Sequence, residues 1–320
     1  MVYGDLFNYS TTEAEIHTQY KRLAMKLHPD RGGTNEEFST LNTLYYKALD
    51  AVKSNSPYWL SSSSIQLNNH QSYEYLWKIE TESHTTFSCK EHIVFVDSKH
   101  NADLIENANH IIEYCHTTLN NTTNDNIKHT QETIPKFQKY ENILVTTKPV
   151  NFHPLQLVMS KYVLRPEDVA WIVGRLMHFM NFFEWVGVMH GSISIENIWV
   201  DLDHHRIGLF GGWQYSRKYN TKLLALPKES AKFLSGKPIA NPNIDRDCIR
   251  ELIINLFGGK SIASLKMNKQ IPRPVIEFLN TPFRKSAFDT YQNWESMRDA
   301  GFGPRKFMVF QYTIDQLYSK

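Results

Sequence analysis

Apolar residues recur with helical spacing near the start of the chain. Ile16, Tyr20, Leu23, Ala24 and Leu27 fall at i, i+4, i+7, i+8 and i+11, one stripe of a helix. Ahead of it, Ser10 with Glu13, or Thr12 with Glu15, has the reciprocal spacing that caps a helix start. His28-Pro29-Asp30 ends the pattern, because proline forbids continuation, and Arg31-Gly32-Gly33 supplies a turn. Thr34 and Glu37 then open a second helix, whose apolar face is Phe38, Leu41, Tyr45, Ala48 and Val52. Helices joined by so short a loop are expected to pack antiparallel, stripe against stripe. Lys21, Arg22 and Lys26 lie away from the stripe.

Between 54 and 73 the pattern lapses. The sequence there, SNSPYWLSSSSIQLNNHQSY, cannot bury enough apolar surface to order itself and is expected to be a flexible linker. A second polar tract at 118–133 reads as a mobile loop. Tyr75–Thr81, His84–Lys90 and His92–Asp97 alternate like consecutive antiparallel strands. Leu104, Ala108, Ile111, Ile112 and Cys115 mark a helix over about 102–116, and 142–147 reads as a further strand. Pro166 opens a long helix, PEDVAWIVGRLMHFMNFFEWVG, apolar nearly all round and so expected to be buried, with Phe179, Phe182, Phe183 and Trp185 in the core. Two strand pieces and a mostly helical remainder follow. Strands first and helices afterwards indicate an α+β architecture with two lobes.

Composition narrows the function classes. Thirty-five Lys+Arg against 33 Asp+Glu leave a formal charge of +2, so no nucleic-acid partner is expected. A hydrophobic share of 41% and seven tryptophans support a sizeable core and exclude wholesale disorder. Cys89, Cys115 and Cys248 are far apart and odd in number, neither a disulfide framework nor a zinc knuckle. No apolar run is long enough to span a bilayer and MVYGDLFNYS is no signal peptide, so the expectation is a soluble cytoplasmic protein with no membrane partner.

The first segment resembles a J domain, the DnaJ-type module, over roughly residues 1–53. The resemblance rests on Tyr3 and Leu6, the Tyr20-Lys21-Arg22-Leu23-Ala24 run, HPDRGG at 28–33, and Phe38. It implies docking to a DnaK-type heat-shock chaperone and stimulation of its ATPase. His28, Pro29 and Asp30 would be the essential tripeptide, and Lys21, Arg22 and Lys26 would meet an acidic face. A rim of cations steers encounter, while a carboxylate on a rigid loop can receive a bidentate arginine.

The remainder, 74–320, is similar to a protein kinase fold, with an N-lobe at about 74–150 and a C-lobe at about 151–320. HGSISIEN at 190–197 aligns with the catalytic loop H-R-D-x-x-x-x-N, with His190 and Asn197 in place. Ser192 holds the position of the catalytic aspartate. Leu209-Phe210-Gly211 stands where D-F-G is expected, and Asp245 matches the buried aspartate that begins a long helix. Phe95 falls at the position of the ATP lysine and Ala108 at that of its glutamate partner, with Glu106 close by. No glycine lies between 72 and 100 to cradle phosphates. Phosphoryl transfer is nearly all positioning and charge neutralisation, so these losses imply a pseudokinase without ATP or Mg²⁺ and not an enzyme.

Bland readings cover the other polar residues. Asn197 and His190 are expected to be structural, and Asp201, Asp203, His204 and His205 form an ordinary turn in preference to a metal site. The fold class expected is α+β, a J-domain hairpin tethered to a two-lobed kinase-like domain. The function implied is a co-chaperone whose kinase-like domain is a platform for an unidentified client or partner. The alternatives are an unconventional phosphotransferase and a viral scaffold that diverts a host chaperone.

Overall fold

The computed structural model describes residues 13–53, 63–66, 72–81, 83–97, 102–123, 129–140, 143–304, 310, 312 and 314–318. The chain divides into two compact units. One comprises Met1–Lys78, Phe87–His92 and Gln311–Lys320; the other comprises Ile79–Thr86 and Ile93–Phe310.

The first unit begins with α1 (Glu13–Leu27) and α2 (Asn35–Lys53), separated by a 3-10 turn at Pro29–Arg31. Their apolar stripes meet as expected. Ile16, Leu41 and Ala48 are fully buried, with Tyr20, Leu23, Leu27, Phe38 and Tyr45 packed on them. Polar atoms at this seam are paired, Tyr20 donating to Asn42 (2.7 Å) and Tyr45 meeting His17 Nδ1 (2.7 Å). Thr34 caps α2: its Oγ1 accepts from Glu37 N–H (3.1 Å), and Glu37 accepts from Thr34 N–H (2.9 Å). The turn between the helices needs its glycines, since a Cβ on Gly33 would collide with the Leu27 carbonyl and Gly32 has φ +96°. Tyr3, Leu6, Ser10 and Thr12 lie outside the described residues, as do the side chains of Asp30 and Val52.

Six strands, β1 (Ser63–Gln66), β2 (Ser72–Glu80), β3 (His84–Cys89), β4 (His92–Asp97), β5 (Gln138–Tyr140) and β6 (Ile143–Thr147), form a sheet in the order β1-β2-β3-β4-β6-β5. The expected strands are all present. The linker expectation needs correction at 63–66, where β1 pairs antiparallel with β2, Ile65 opposite Tyr73. An edge strand is held by backbone hydrogen bonds, so a serine-rich sequence can supply one without an apolar face.

In the second unit α3 (Ala102–Asn120) outruns its expected end. The Thr117 and Thr118 hydroxyls return to carbonyls four residues back, and Leu119 is buried, so the polar tract opens as helix. A 3-10 turn at His129–Glu132 closes the same tract. After the short β7 (His153–Pro154) and α4 (Leu155–Lys161) comes the long α5 (Pro166–Val186). Pro166 occupies its first turn, the Asp168 carboxylate accepts from Arg165 N–H (3.1 Å), and Gly187 ends it at φ +70°. Phe179, Phe182 and Phe183 are buried as expected, but Trp185, in the final turn, is 41% exposed. Strands β9 (Ile198–Asp201) and β10 (Arg206–Leu209) pair beside β7, and β8 (Val188–Met189) pairs with β11 (Arg217–Lys218). The rest is helical: α6 (Lys228–Ala231), α7 (Pro242–Leu256), α8 (Ile262–Lys266), α9 (Arg273–Asn280), α10 (Ala287–Phe302), and α11 (Ile314–Tyr318) at the end of the first unit. The architecture is thus mixed, an antiparallel sheet combined with helices.

Candidate functional site

Two groups of residues invite function, one in each unit. In the first, α1 leaves Lys21, Arg22 and Lys26 exposed. His28 and Pro29 are half-buried at the turn. The His28 ring stands edge-on to Phe38 (4.8 Å between centroids), and its carbonyl accepts from Arg31 N–H (2.9 Å) and Gly33 N–H (3.1 Å). The tripeptide therefore sits on a loop fixed from both sides, Asp30 inside the 3-10 turn.

In the second unit the loop between β8 and β9 carries His190, Ser192 and Asn197, all buried. Asn241 caps α7 by accepting from Asn243 N–H (3.0 Å), which places Asp245 in the first turn of that helix. The Asp245 carboxylate then accepts from the backbone N–H groups of His190 (2.7 Å) and Gly191 (2.7 Å). Burial pushes Asp245 up to about 7, while those two amide donors pull the other way. His190 has one consistent tautomer. Its Nδ1 accepts from Ser192 N–H (3.2 Å), so Nε2 donates to the Gly211 carbonyl (3.0 Å), and burial holds the ring down to about 3. The Asn197 amide donates to the Ser192 carbonyl (2.8 Å) and hydroxyl (2.9 Å). All three side chains are thus engaged in holding backbone.

The remaining predicted positions are apolar or too small to act as acids or bases. Leu209 ends β10, donates its N–H to the Thr133 carbonyl (2.8 Å) and is buried. Gly211, two residues on, is the one seated against the loop, its N–H reaching the Asn197 carbonyl (3.2 Å). A Cβ there would strike Asn197 Oδ1, and one on Gly212 would lie 2.7 Å from His190 Cε1. Phe210 packs edge-on against Phe152 and Trp199. Phe95 and Ala108 are buried and, with Phe137, Phe210 and Trp213, leave a cavity of only about 20 Å³. Glu106 points away, on an exposed position of α3.

Sequence reasoning missed Asn107. Its amide donates to the Gln214 (3.1 Å) and Ser216 (2.8 Å) carbonyls, and its oxygen accepts from Arg217 Nη1 (2.9 Å). The signal was there: Asn107 is three residues after Leu104, a polar side chain on the apolar stripe of α3. The acids and histidines of the 201–205 turn serve local pairing, the His204 ring Nδ1 meeting the Asp201 carboxylate (3.0 Å). Asp201 accepts from Arg206 Nη2 (2.6 Å) and from the His204 N–H (3.1 Å), while His205 stacks on Trp171 (4.7 Å). Among the described residues no group of acids, histidines and cysteines could hold a metal ion.

Beside the His190–Asn197 loop opens a cleft of about 600 Å³. Ser192, Ser194 and Asn197 line it, together with Glu80, Glu196, Glu229 and Glu251, and no Lys or Arg is among its described lining residues. Of these carboxylates, Glu251 is already paired with Lys232 Nζ (2.6 Å).

No protein-family model matches the chain. A stretch of 35 residues, 11% of this chain, is 51% identical to the small t antigen of budgerigar fledgling disease virus. The chain spans about a quarter (24%) of the length of that relative. Among solved structures, the BubR1 kinase domain superposes on 74% of this chain and 83% of its own at 11% identity, with a TM-score of 0.49, too loose to carry a conclusion.

Proposed function

We propose that the chain is a cytoplasmic co-chaperone of the J-domain type. It recruits a DnaK-type heat-shock chaperone through His28, Pro29 and Asp30 and stimulates its ATP hydrolysis. The observation that carries this reading is the tripeptide on a rigid turn between two antiparallel helices, with Lys21, Arg22 and Lys26 exposed on α1. A preorganised loop loses little freedom on binding, and the cations give the encounter its speed and orientation.

The second unit serves as a pseudokinase-like platform for a client or partner. Support comes from the frame, in which Asp245, His190 and Asn197 hold the loop by its backbone, and from the chemistry that is missing. Ser192 is no base, and Phe95 with Ala108 replaces a cation and its partner by packed hydrocarbon. The D-F-G comparison is better drawn on Gly211-Gly212-Trp213, because Gly211 is the residue against Asn197. In either register the position of the D-F-G aspartate, Leu209 or Gly211, carries no carboxylate. Neither ATP nor Mg²⁺ belongs to this reading, and an unconventional phosphotransferase would lack its base and ligands. The matched small t antigen is viral, which favours as a second reading a scaffold diverting a host chaperone.

Capture on immobilised DnaK-type chaperone tests the assignment. With ATP bound to the chaperone, the chain is retained and elutes earlier as salt rises; the triple change of Lys21, Arg22 and Lys26 to Ala weakens retention. Equal retention by the triple variant, or retention indifferent to nucleotide, would refute it.

A further inference from the structure

In the second unit α5 and α10 run antiparallel, His178 meeting Tyr291 (5.2 Å between rings) and Gly174 lying against Trp294. Their outward stripes, Glu167 to His178 on one helix and Tyr291 to Phe302 on the other, bound a groove of about 330 Å³, within the range of small-molecule sites.

Three buried nitrogen donors near this groove have no acceptor: Trp171 Nε1, Trp294 Nε1 and Arg298 Nε. Trp171 and Arg298 line the groove, and Trp294 adjoins it at Gly174. Trp171 is three residues before Gly174 on α5, Trp294 Nε1 lies 3.8 Å from where a Gly174 Cβ would be, and Arg298 follows Trp294 by one turn. A donor shut off from water and left unpaired is costly, and three together are exceptional.

Gly174 is the second observation. A glycine inside a helix is unfavourable, and usually close packing requires it. Here a Cβ would meet only that one indole nitrogen, at ordinary van der Waals distance. The fold does not need the space, so it belongs to the groove.

The walls indicate what enters. Trp171, Tyr291 and Phe302 offer aromatic surface, and Arg175 and Arg298 bring guanidinium groups. Of the carboxylates present, Glu295 is already on Arg298 Nη2 (3.4 Å), as is Asp299, and Glu167 is at an exposed position. Arg175 Nε donates to the His205 carbonyl (2.9 Å), which fixes that side chain along the wall. An acceptor that reaches Arg298 Nε gains a charge-assisted bond, which favours an anionic oxygen over a neutral one. We propose that this groove binds a small aromatic carboxylate, its oxygens entering the space above Gly174 and its ring lying against the aromatic walls.

Titration of the ¹⁵N-labelled chain with 2-naphthoate tests this, read on the seven indole N–H signals. Trp171→Phe and Trp294→Phe identify two of them. The expected result is saturable movement of those two, with a dissociation constant below about 1 mM, and little response to naphthalene, which lacks the acceptor. Gly174→Leu fills the space and abolishes the response, while Gly174→Ala, which only strengthens the helix, keeps the melting temperature at or above that of the parent. No movement of the two signals would leave ordered water as the only acceptor and overturn the proposal. So would an equal response to naphthalene, or undiminished binding by a folded Gly174→Leu chain.

Discussion

Two backbone amides, those of His190 and Gly191, have the Asp245 carboxylate as their acceptor where water does not reach. Asp245→Ala leaves both donors buried and unmet, and each orphaned amide costs about 1–3 kcal/mol. The expected loss of stability is about 3 kcal/mol, measured as a lower urea midpoint with an unchanged slope. A change under about 0.5 kcal/mol, the range of ordinary surface substitutions, would mean that the carboxylate does not hold the loop. Asp245 was legible in the sequence as a buried aspartate at the start of a long helix, and it lies in the first turn of α7. The role of Gly211 is not legible in the sequence. The sequence comparison put the weight on Leu209, and only the end of β10 shows which peptide reaches Asn197.

At the scale of elements, the Asn107 amide fastens α3 to the segment around β11, beside the Lys218 ammonium over the Tyr114 ring. Asn107 serves three partners, and Asn107→Ala removes all three bonds at once. The expected outcome is a loss of about 2 kcal/mol and faster amide hydrogen exchange across 102–120 and 213–218 than elsewhere in the unit. Uniform acceleration, or none, would contradict a local fastening. The helices α1, α2 and α5 and the strands β2 to β4 and β6 were readable because periodicity and caps agreed, as at Thr34 with Glu37 and at Pro166. Strand β1 was not readable, since an edge strand depends on backbone pairing that Ser63 and Ser64 do not advertise. The tail of α3 was hidden for a related reason: its threonines bond back to the helix, and composition alone made them look like loop.

For the whole molecule, buried histidines set the response to acid. Burial holds His84 down to about 4, and His153 and His190 down to about 3, against 6.5 in the unfolded chain. Unfolding below pH 6.5 therefore takes up three protons that the native state declines, so this stability is complete above 6.5 and is lost as pH falls toward 3. Asp245, pushed up to about 7, works against this by holding one proton in the native state. The net uptake of roughly two protons gives a loss of about 3 kcal/mol per pH unit at its steepest. Urea midpoints at pH 7.5, 6 and 5 check it, and a flat profile would count against neutral burial of these rings. The central claim is decided at the His28-Pro29-Asp30 turn. The decisive measurement is single-turnover ATP hydrolysis by a DnaK-type chaperone, with and without the full chain. The account predicts acceleration by the parent chain, the chaperone's basal rate with His28→Gln, and no hydrolysis by the chain alone. Equal acceleration by the parent and His28→Gln, or none by either, would contradict it.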